Sequence, residues 1–302
     1  MKEIYPNPAT EPTTNALISS TGLILEGGGM RGLYTAGILD FFLDQNLQLP
    51  YVIGVSAGAC HAASYISRQY GRNKRVNIGY IKDPRYISYR NLIKTRSLFG
   101  MDFVFNQIPN HLEPFDYETF YQSDQSYFIG TTDCVTGEPV YFDAKKSSPE
   151  IILKALMASS SLPFVSPIVE IQGKVLLDGG IVDPIPVRRS IEDGNKKQVV
   201  ILTRNKDYRK KPFKSKWLAH CFYSKYPKFR EAMFNRHVIY NETLDFIEEL
   251  VNSDQAFVIR PSEPLQVGRL ERNPQKLTDL YKLGYQDAES SYQQLKDFLS
   301  NN

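Results

Sequence analysis

Twice within the first 66 residues, a short apolar run ends in a glycine-rich turn and is followed by a helical pattern. The first unit joins an apolar run at 22–26 to a helical pattern over 30–43, and the second joins 51–55 to 57–66. Continuous apolar strands of this kind are typical of sheets that are covered on both faces. Two consecutive strand–helix units therefore predict a largely parallel α/β sheet with helices on both sides.

Patterns along the rest of the chain extend this interpretation. Apolar residues recur at helical spacing from 233 to 251, and a closing helix is predicted over 274–299. Hydrophobic residues make up 42% and charged residues 23% of the chain, which excludes wholesale disorder and a coiled-coil architecture. Further strands are predicted over residues 127–132, 139–142, 175–177, 198–203 and 256–260.

Every motif with recognisable chemistry lies between residues 22 and 204, and this sets the predicted organisation of the chain. Residues 1–21 are polar and proline-bearing and contain no apolar run, which predicts a flexible N-terminal arm and not a signal peptide. We expect one domain over 22–302, with a motif-bearing core over 22–204 and a helical C-terminal part over 205–302.

Charge and cysteine content narrow the function classes. The formal net charge of +3 argues against a dedicated nucleic-acid-binding protein. The three cysteines form no CxxC pair, which favours a reducing compartment, and hence the cytoplasm, over a disulfide framework. Residues 45–67 carry no charge over a length that could span a bilayer, but they contain polar residues and divide into a strand-like and a helix-like half. We expect them to be a buried segment of a soluble fold.

The first glycine turn, GGGMRG at residues 27–32, fits two different functions. It matches the G-x-G-x-x-G pattern of dinucleotide-binding folds, but those folds also need an acidic residue at the end of the second strand, which here ends in a glycine–serine turn. The loop also suits oxyanion binding, because N–H groups at a glycine-rich helix start favour negative charge. We expect Arg31 to support the loop through an ion pair. The candidate oxyanion residues are Gly27, Gly28, Gly29, Met30, Arg31 and Gly32.

The second glycine turn, GVSAG at residues 54–58, is a G-x-S-x-G sequence between a buried strand and a helix of small residues. This is the context of a nucleophile elbow, in which a tight turn exposes a serine oxygen at the end of a strand. Gly54 and Gly58 would allow the strand and the helix to pack closely. Ser56 is therefore the candidate nucleophile.

A serine nucleophile needs a general base. None of the four histidines lies in a segment with a catalytic pattern, although His220 or His237 would complete a Ser-His-Asp triad. Asp178 ends a short apolar strand and precedes a Gly-Gly pair, so we expect it at the same sheet edge as Ser56. A free aspartate has a pKa of about 3.9 and is a weak base, but apolar enclosure would raise its pKa. Asp178 is the favoured base, and the triad remains an alternative.

The blocks GGGMRG, GVSAG and DGG at 178–180, in this order, resemble the patatin-like phospholipase family, particularly its bacterial members. Two shorter matches lie at Thr132-Asp133…Thr136-Gly137-Glu138 and Ala158-Ser159…Pro163, and all matches fall within residues 22–204. The resemblance implies a three-layer α/β/α sandwich with a mostly parallel central sheet. It also implies a lipid acyl hydrolase that acts on phospholipid, lysophospholipid or neutral glycerolipid esters.

A Ser-Asp dyad mechanism is also implied by the resemblance. Ser56 would attack an ester carbonyl, and Asp178 would take its proton and return it to the departing alcohol. The backbone of residues 28–31 would hold the oxyanion, and water would hydrolyse the acyl-enzyme. No metal ion or cofactor is required. The residues that support the two turns would be Gly54, Gly58, Gly179 and Gly180.

Two basic, aromatic segments suggest a contact with membranes. Residues 68–96 contain nine Lys or Arg and one acidic residue, and a second such segment covers 204–236. Beside the active site, these segments would draw the protein onto anionic lipid at roughly 1 kcal/mol per charge, as a peripheral contact. The alternative is two solvated faces. The other open function classes are a triad esterase or thioesterase, a dinucleotide-dependent oxidoreductase and a non-catalytic lipid-binding module.

Overall fold

An eight-stranded sheet forms the centre of the fold. The computed structural model describes residues 20–301, and within this range it contains the strands β1 (Thr21–Leu25), β2 (Tyr51–Val55), β3 (Ser126–Asp133), β4 (Pro139–Asp143), β5 (Val169–Ile171), β6 (Lys174–Asp178), β7 (Lys197–Ile201) and β8 (Ala256–Ile259).

Helices cover both faces of the sheet. In the described range they are α1 (Leu33–Asp44), α2 (Ala57–Ile66), α3 (Arg72–Lys74), α4 (Tyr89–Thr95), α5 (Tyr117–Gln122), α6 (Pro149–Ser159), α7 (Val187–Glu192), α8 (Lys216–Phe222), α9 (Pro227–Asn252) and α10 (Pro274–Ser300). Two π-helical segments, Arg75–Gly79 and Phe103–Leu112, lie between α3 and α5.

The sheet is mixed and mostly parallel. Its strands are hydrogen-bonded in the succession β5-β6-β3-β2-β1-β7-β8, in which β6 and β2 pair with successive parts of one edge of β3, and β4 pairs with the opposite edge. Strands β3, β2, β1, β7 and β8 run parallel, whereas β4 and β6 pair antiparallel with β3, and β5 pairs antiparallel with β6. The predicted α/β class and the mostly parallel central sheet are confirmed.

Alternate residues of the parallel strands pack into two separate cores. Leu23 and Leu25 of β1 pack with residues of α1, α2, α6 and α10, whereas Ile24 packs with residues of α7 and α9. Both β1 and β2 are buried along their whole length, which is why they appear in the sequence as continuous apolar runs. Helices on both faces of the sheet give the predicted three layers.

The last helix, α10, packs closely on α1. A Cβ on Gly37 of α1 would overlap the carbonyl oxygen of Tyr281, and a Cβ on Gly284 of α10 would overlap that of Tyr34. Glycine at these two positions therefore permits a close helix crossing. The predicted arm over residues 1–21 lies outside the described residues except for its last two, of which Thr21 already belongs to β1. The division of the domain at residue 204 stays a prediction.

Candidate active site

Ser56 occupies a strained turn between β2 and α2. Its backbone φ of 56° and ψ of −127° are rarely adopted by residues other than glycine. Glycines on either side make room for the turn, because a Cβ on Gly54 would lie 2.7 Å from the Ala59 amide nitrogen and one on Gly58 would lie 2.7 Å from the Glu26 carbonyl oxygen. This geometry is that of the nucleophile elbow expected from the sequence.

A serine from the next layer fixes this turn to the sheet. The Ser56 N–H donates to Ser159 Oγ at 2.8 Å, and Ser159 Oγ in turn donates to the Gly130 carbonyl oxygen of β3 at 2.6 Å. Ser159 is fully buried at the end of α6. The short match at Ala158-Ser159 thus belongs to the structure of the elbow.

The end of β6 comes to Ser56 because β2 and β6 lie along the same edge of β3. Val55 of β2 pairs with Gly130, and Asp178 of β6 pairs with the next residue, Thr131. Both Gly130 and Thr131 pair with β4 on the opposite edge, so β2 and β6 approach each other end to end. The two strands run in opposite directions, and their carboxyl ends therefore meet.

The Asp178 carboxyl group is buried, with only 3% of the residue exposed. Burial raises the pKa of Asp178, and the opposing influences are the positive charge of Arg236, the Gly180 N–H, the charge of Arg269 and the hydroxyl of Ser56. The Gly180 N–H donates to Asp178 Oδ1 at 2.7 Å. A raised pKa makes this carboxylate a better proton acceptor than a free aspartate.

The glycine loop divides between two cavities that meet at Ser56. Gly27, Gly28, Gly29 and Arg31 line a small polar cavity, whereas Met30 lines a larger apolar one, as Gly29 also does. The Met30 N–H donates to the Arg269 carbonyl oxygen at 3.1 Å, but within residues 20–301 the N–H groups of Gly28 and Gly29 have no backbone acceptor. The same holds for the Gly27 N–H, so three amides of the loop remain available as donors to a bound group.

Gly32, the last residue of the loop, lines neither of these two cavities. It packs against α2, where a Cβ on Gly32 would lie 2.7 Å from the Ala57 Cβ and 2.8 Å from the His61 Nε2. Gly179 similarly packs on the backbone of β3, with its added Cβ 2.9 Å from the Thr131 nitrogen. Both glycines serve close packing beside the site.

The small polar cavity, of about 20 Å³, is rich in positive charge. Ser56 and Asp178 both line it, together with one further acid, Glu26. The sequence did not indicate Glu26 or Arg269, because neither lies in a basic segment or a catalytic block. The cationic residues that line the cavity are Arg31, Arg204, Lys210, Arg236 and Arg269.

Arg31 does not form the ion pair expected from the sequence. Among the described residues it takes part in no salt bridge, and its Nε has no hydrogen-bond partner although the residue is only 3% exposed. Burial lowers the pKa of Arg31 to about 10, and the charges of Arg204 and Arg269 lower it further, whereas Glu26 opposes them. Arg31 acts on the loop as an unpaired buried cation.

The apolar cavity, of about 130 Å³, extends from Ser56 between α2, α6 and the second π-helical segment. Met30 and Leu162 are among the residues that line it near Ser56. Its deeper walls are apolar side chains from several elements, including Val104, Phe105, Ile108, Phe115 and Leu156.

Both basic segments contribute to the surroundings of Ser56. In the first segment, Arg72 lines the apolar cavity with its guanidinium over the Phe115 ring, 5.4 Å from the centroid. The second segment lines a groove of about 650 Å³ that shares Arg204, Lys210, Arg236 and Arg269 with the polar cavity. This groove gives the polar cavity a cationic approach.

The four histidines lie in different surroundings. His61 is buried and lines the apolar cavity with Ser56, and burial lowers the pKa of His61 to about 4. His237 lines the large groove with its Nδ1 3.0 Å from the Phe234 carbonyl oxygen, and His220 packs near the Phe234 ring. None of the four lines the polar cavity that holds Asp178.

Comparison with known proteins gives matches over most of the chain. A patatin-like phospholipase model matches residues 23–190, and a domain of unknown function (DUF6363) matches 226–300. An uncharacterized protein of Escherichia coli (strain K12), YjjU, is 28% identical over 271 residues, or 87% of this chain and 74% of that protein. The crystal structure of VipD from Legionella pneumophila is similar over 91% of this chain and 67% of the VipD chain, with 12% sequence identity and a TM-score of 0.46.

No helix within residues 20–301 has the length and apolar character needed to cross a bilayer. At the level of the family, the match supports a lipid acyl hydrolase. Because the patatin-like phospholipase model matches more than half of the 302 residues of this chain, the chain belongs to the patatin-like phospholipase family.

Proposed function

We propose that this protein hydrolyses the carboxylic esters of lipids with a Ser56–Asp178 dyad, an acyl-enzyme intermediate and an oxyanion hole in the glycine loop. The observation that carries the proposal is that Ser56, at a strained elbow, and the buried Asp178 line one small cavity together with the Gly28 and Gly29 backbone. Nucleophile, base and amide donors are the three parts that acyl transfer needs.

In the first half of the reaction, Ser56 Oγ attacks the ester carbonyl carbon while its proton passes to the Asp178 carboxylate. The N–H groups of Gly28 and Gly29 stabilise the negative charge that develops on the carbonyl oxygen. The tetrahedral intermediate collapses, the bond to the alcohol oxygen breaks, and Asp178 returns the proton to the departing alcohol. The acyl group remains on Ser56 as an ester.

In the second half, a water molecule attacks the acyl-enzyme and its proton passes to Asp178. The same amides stabilise the second intermediate, and Asp178 gives the proton back to Ser56 Oγ as the carboxylic acid leaves. The apolar cavity of about 130 Å³ is suited to the acyl chain, because it opens at Ser56 and is walled by hydrophobic side chains. The polar cavity would then face the alcohol side of the ester.

A triad esterase is the second candidate within the enzyme class, and His61 is its best base. His61 lines the apolar cavity together with Ser56. Against it, its Nδ1 has no hydrogen-bond partner among the described residues, so no carboxylate orients the ring as a triad requires. His220 and His237 are farther from this role, since neither shares a cavity with Ser56.

A fluorophosphonate probe tests the proposed nucleophile. The wild-type protein should be labelled and Ser56→Ala should not, whereas His61→Gln, His220→Gln and His237→Gln should still be labelled. Loss of labelling in one of the histidine variants would support the triad instead. Nucleotide binding without labelling would favour the oxidoreductase, and vesicle binding without labelling would favour the lipid-binding module.

Peripheral contact with anionic lipid is part of the proposal. Trp217 and Phe222 of α8 are 67% and 60% exposed. Lys216 precedes Trp217 in the same helix, and Lys214 lines the cationic groove. Exposed aromatic residues with lysines suit a membrane surface. Trp217→Ala should sediment less with anionic vesicles than the wild type, and charge-independent sedimentation would contradict this contact. The three free cysteines keep the cytoplasm as the predicted location.

A further inference from the structure

The polar cavity beside Ser56 holds more positive than negative charge. Five cationic side chains line it against two carboxylates, those of Glu26 and Asp178. Arg204 and Lys210 come from the loop after β7. Arg236 belongs to α9 and Arg269 to the loop before α10, and both lie within the region that matches the domain of unknown function.

Both carboxylates accept hydrogen bonds from other groups, and within residues 20–301 neither takes part in a salt bridge. Glu26 accepts hydrogen bonds from the Thr203 N–H at 2.6 Å, the Thr203 hydroxyl at 2.9 Å and the Tyr240 hydroxyl at 2.7 Å. Asp178 accepts from the Gly180 N–H. In the described part of the chain, none of the five cations takes part in a salt bridge, although surface arginines and lysines elsewhere do.

Burial and the closeness of the other cations lower the pKa values of Lys210 and Arg236. Burial lowers the pKa of Lys210 to about 7, and the charges of Arg236 and Arg269 lower it further. Burial also lowers the pKa of Arg236 to about 10, again with a contribution from Arg269. Half-buried charges of one sign that lie close together without a salt-bridge partner repel each other, and a bound anion would relieve this repulsion.

The approach to this cavity carries the same sign of charge. The groove of about 650 Å³ that adjoins it shares Arg204, Lys210, Arg236 and Arg269 with it. No acidic residue of the described chain lines this groove. A bound group that carried its own ammonium would therefore find no carboxylate there to pair with.

We propose that Arg204, Lys210, Arg236 and Arg269 form a subsite for an uncompensated anion on the alcohol side of the ester. The preferred substrates are then acyl esters whose alcohol part carries a net negative charge, as a phosphate or carboxylate, rather than neutral or zwitterionic ones. The C-terminal region, which supplies two of the four cations, thereby determines specificity at Ser56. This inference rests on the proposed ester hydrolysis.

Three esters with one common acyl chain test the charge preference: a monoacylglycerol, an acyl-glycerophosphocholine and an acyl-glycerophosphoglycerol. They should be used as monomers below their aggregation limit, so that no lipid surface contributes. For the wild type we expect kcat/KM for the anionic ester to exceed the other two by about tenfold or more. The zwitterionic ester separates net charge from the mere presence of a phosphate.

Lys210→Gln and Arg269→Gln should reduce this ratio of kcat/KM values to near one, mainly through KM for the anionic ester. Lys206→Gln is the matched control, because Lys206 lies in the same loop as Lys210 but is exposed, 3.4 Å from Glu248 and outside the cavity. It should keep the wild-type ratio. Since each ratio is taken within one variant, an effect on the chemical step common to all three esters cancels.

Equal kcat/KM values for the three esters in the wild type would overturn the subsite, and so would a ratio that Lys210→Gln and Arg269→Gln leave intact. Glycerol 3-phosphate and inorganic phosphate identify the source of the anion. Competitive inhibition by them without any preference among the esters would assign the cavity to a free anion and also reject the proposal.

Failure of the proposed function is seen separately, as an absence of hydrolysis of every ester and of fluorophosphonate labelling. The subsite is then judged by calorimetric binding of the acyl-glycerophosphoglycerol. Lys210→Gln should weaken this binding about tenfold relative to Lys206→Gln, and equal affinities would reject the subsite.

Discussion

The two parts of the molecule on either side of residue 204 supply different things to one cavity. Residues before it provide the groups proposed to react, Ser56, Asp178 and the glycine loop, each within a short contiguous motif. Residues after it provide charge, in Lys210, Arg236 and Arg269, with no motif around them. The difference has a physical origin: a nucleophile elbow requires a particular backbone, whereas a long cationic side chain reaches a cavity from many backbone positions.

The largest effect is expected from removing the reacting groups of the first part. Ser56→Ala and Asp178→Asn should each lower kcat for a short-chain soluble ester by about 10⁴-fold or more, because the proposed nucleophile and base would act as a unit. Asp183→Asn is the control for a half-buried, hydrogen-bonded aspartate, since Asp183 accepts from the Tyr141 hydroxyl and lies outside the polar cavity. Retained activity in Asp178→Asn would move the base elsewhere.

A smaller loss is expected where the two parts touch in the glycine loop. Gly29 has a φ of +57°, and a Cβ there would lie 2.7 Å from the Arg269 carbonyl oxygen, so Gly29→Ala should displace an amide donor of the proposed oxyanion hole. Loss of one such donor lowers kcat by about 10²–10³-fold. Gly194 is the control, because it also has a positive φ, of +96°, but open space around it. Gly194→Ala should therefore keep the wild-type kcat.

The packing of the last part on the first can be tested by stability. Gly284→Ala would force a methyl group against the Tyr34 carbonyl oxygen, which should lower the free energy of unfolding by about 1–3 kcal/mol or more. Gly268→Ala, with nothing near its added Cβ, is the control for urea unfolding. A single transition in both variants is expected if the two parts unfold together, and two separate transitions would show that they do not.

The smallest effect concerns pH. Lys210 has a pKa of about 7, so it is charged below that pH and loses its charge as the pH rises. The preference for the anionic phosphodiester over the neutral ester in kcat/KM should therefore decline severalfold between about pH 6 and pH 8. Lys210→Gln should show a flat ratio over this range. Hydrolysis itself should fall at acid pH, because Asp178, whose pKa is raised, must be ionised to accept a proton.

The sequence predicted well those elements that depend on local pattern. The strands β1, β2 and β7, the helix α2 and the elbow at Ser56 were predicted because short-range rules of burial and turn geometry determine them. The segment between α2 and β3 was not predicted as structure. Its π-helical part at Phe103–Leu112 contains Pro109, a residue that argues against a helix interior, and its apolar residues line a cavity rather than a packed core.

Long-range features of the site could not be predicted in the same way. The antiparallel pairing of β6 with β3 brings Asp178 to Ser56, but strand direction is decided by tertiary packing. The cationic residues at 204, 210, 236 and 269 are far apart in sequence and have no common spacing. Gly32 and Met30 were grouped with the other loop residues because a motif does not tell which face of a turn each residue occupies.

The end-to-end meeting of β2 and β6 on one strand has a mechanical consequence. The distance between the Ser56 hydroxyl and the Asp178 carboxyl depends on one peptide unit of β3, Gly130–Thr131. The end of β2 pairs with Gly130, and the end of β6 pairs with Thr131. The Gly130 carbonyl oxygen also anchors Ser159, which restrains the Ser56 turn. A shift of the outer helices that leaves the pairing of β2 and β6 with β3 intact therefore moves the hydroxyl and the carboxyl together and keeps their separation.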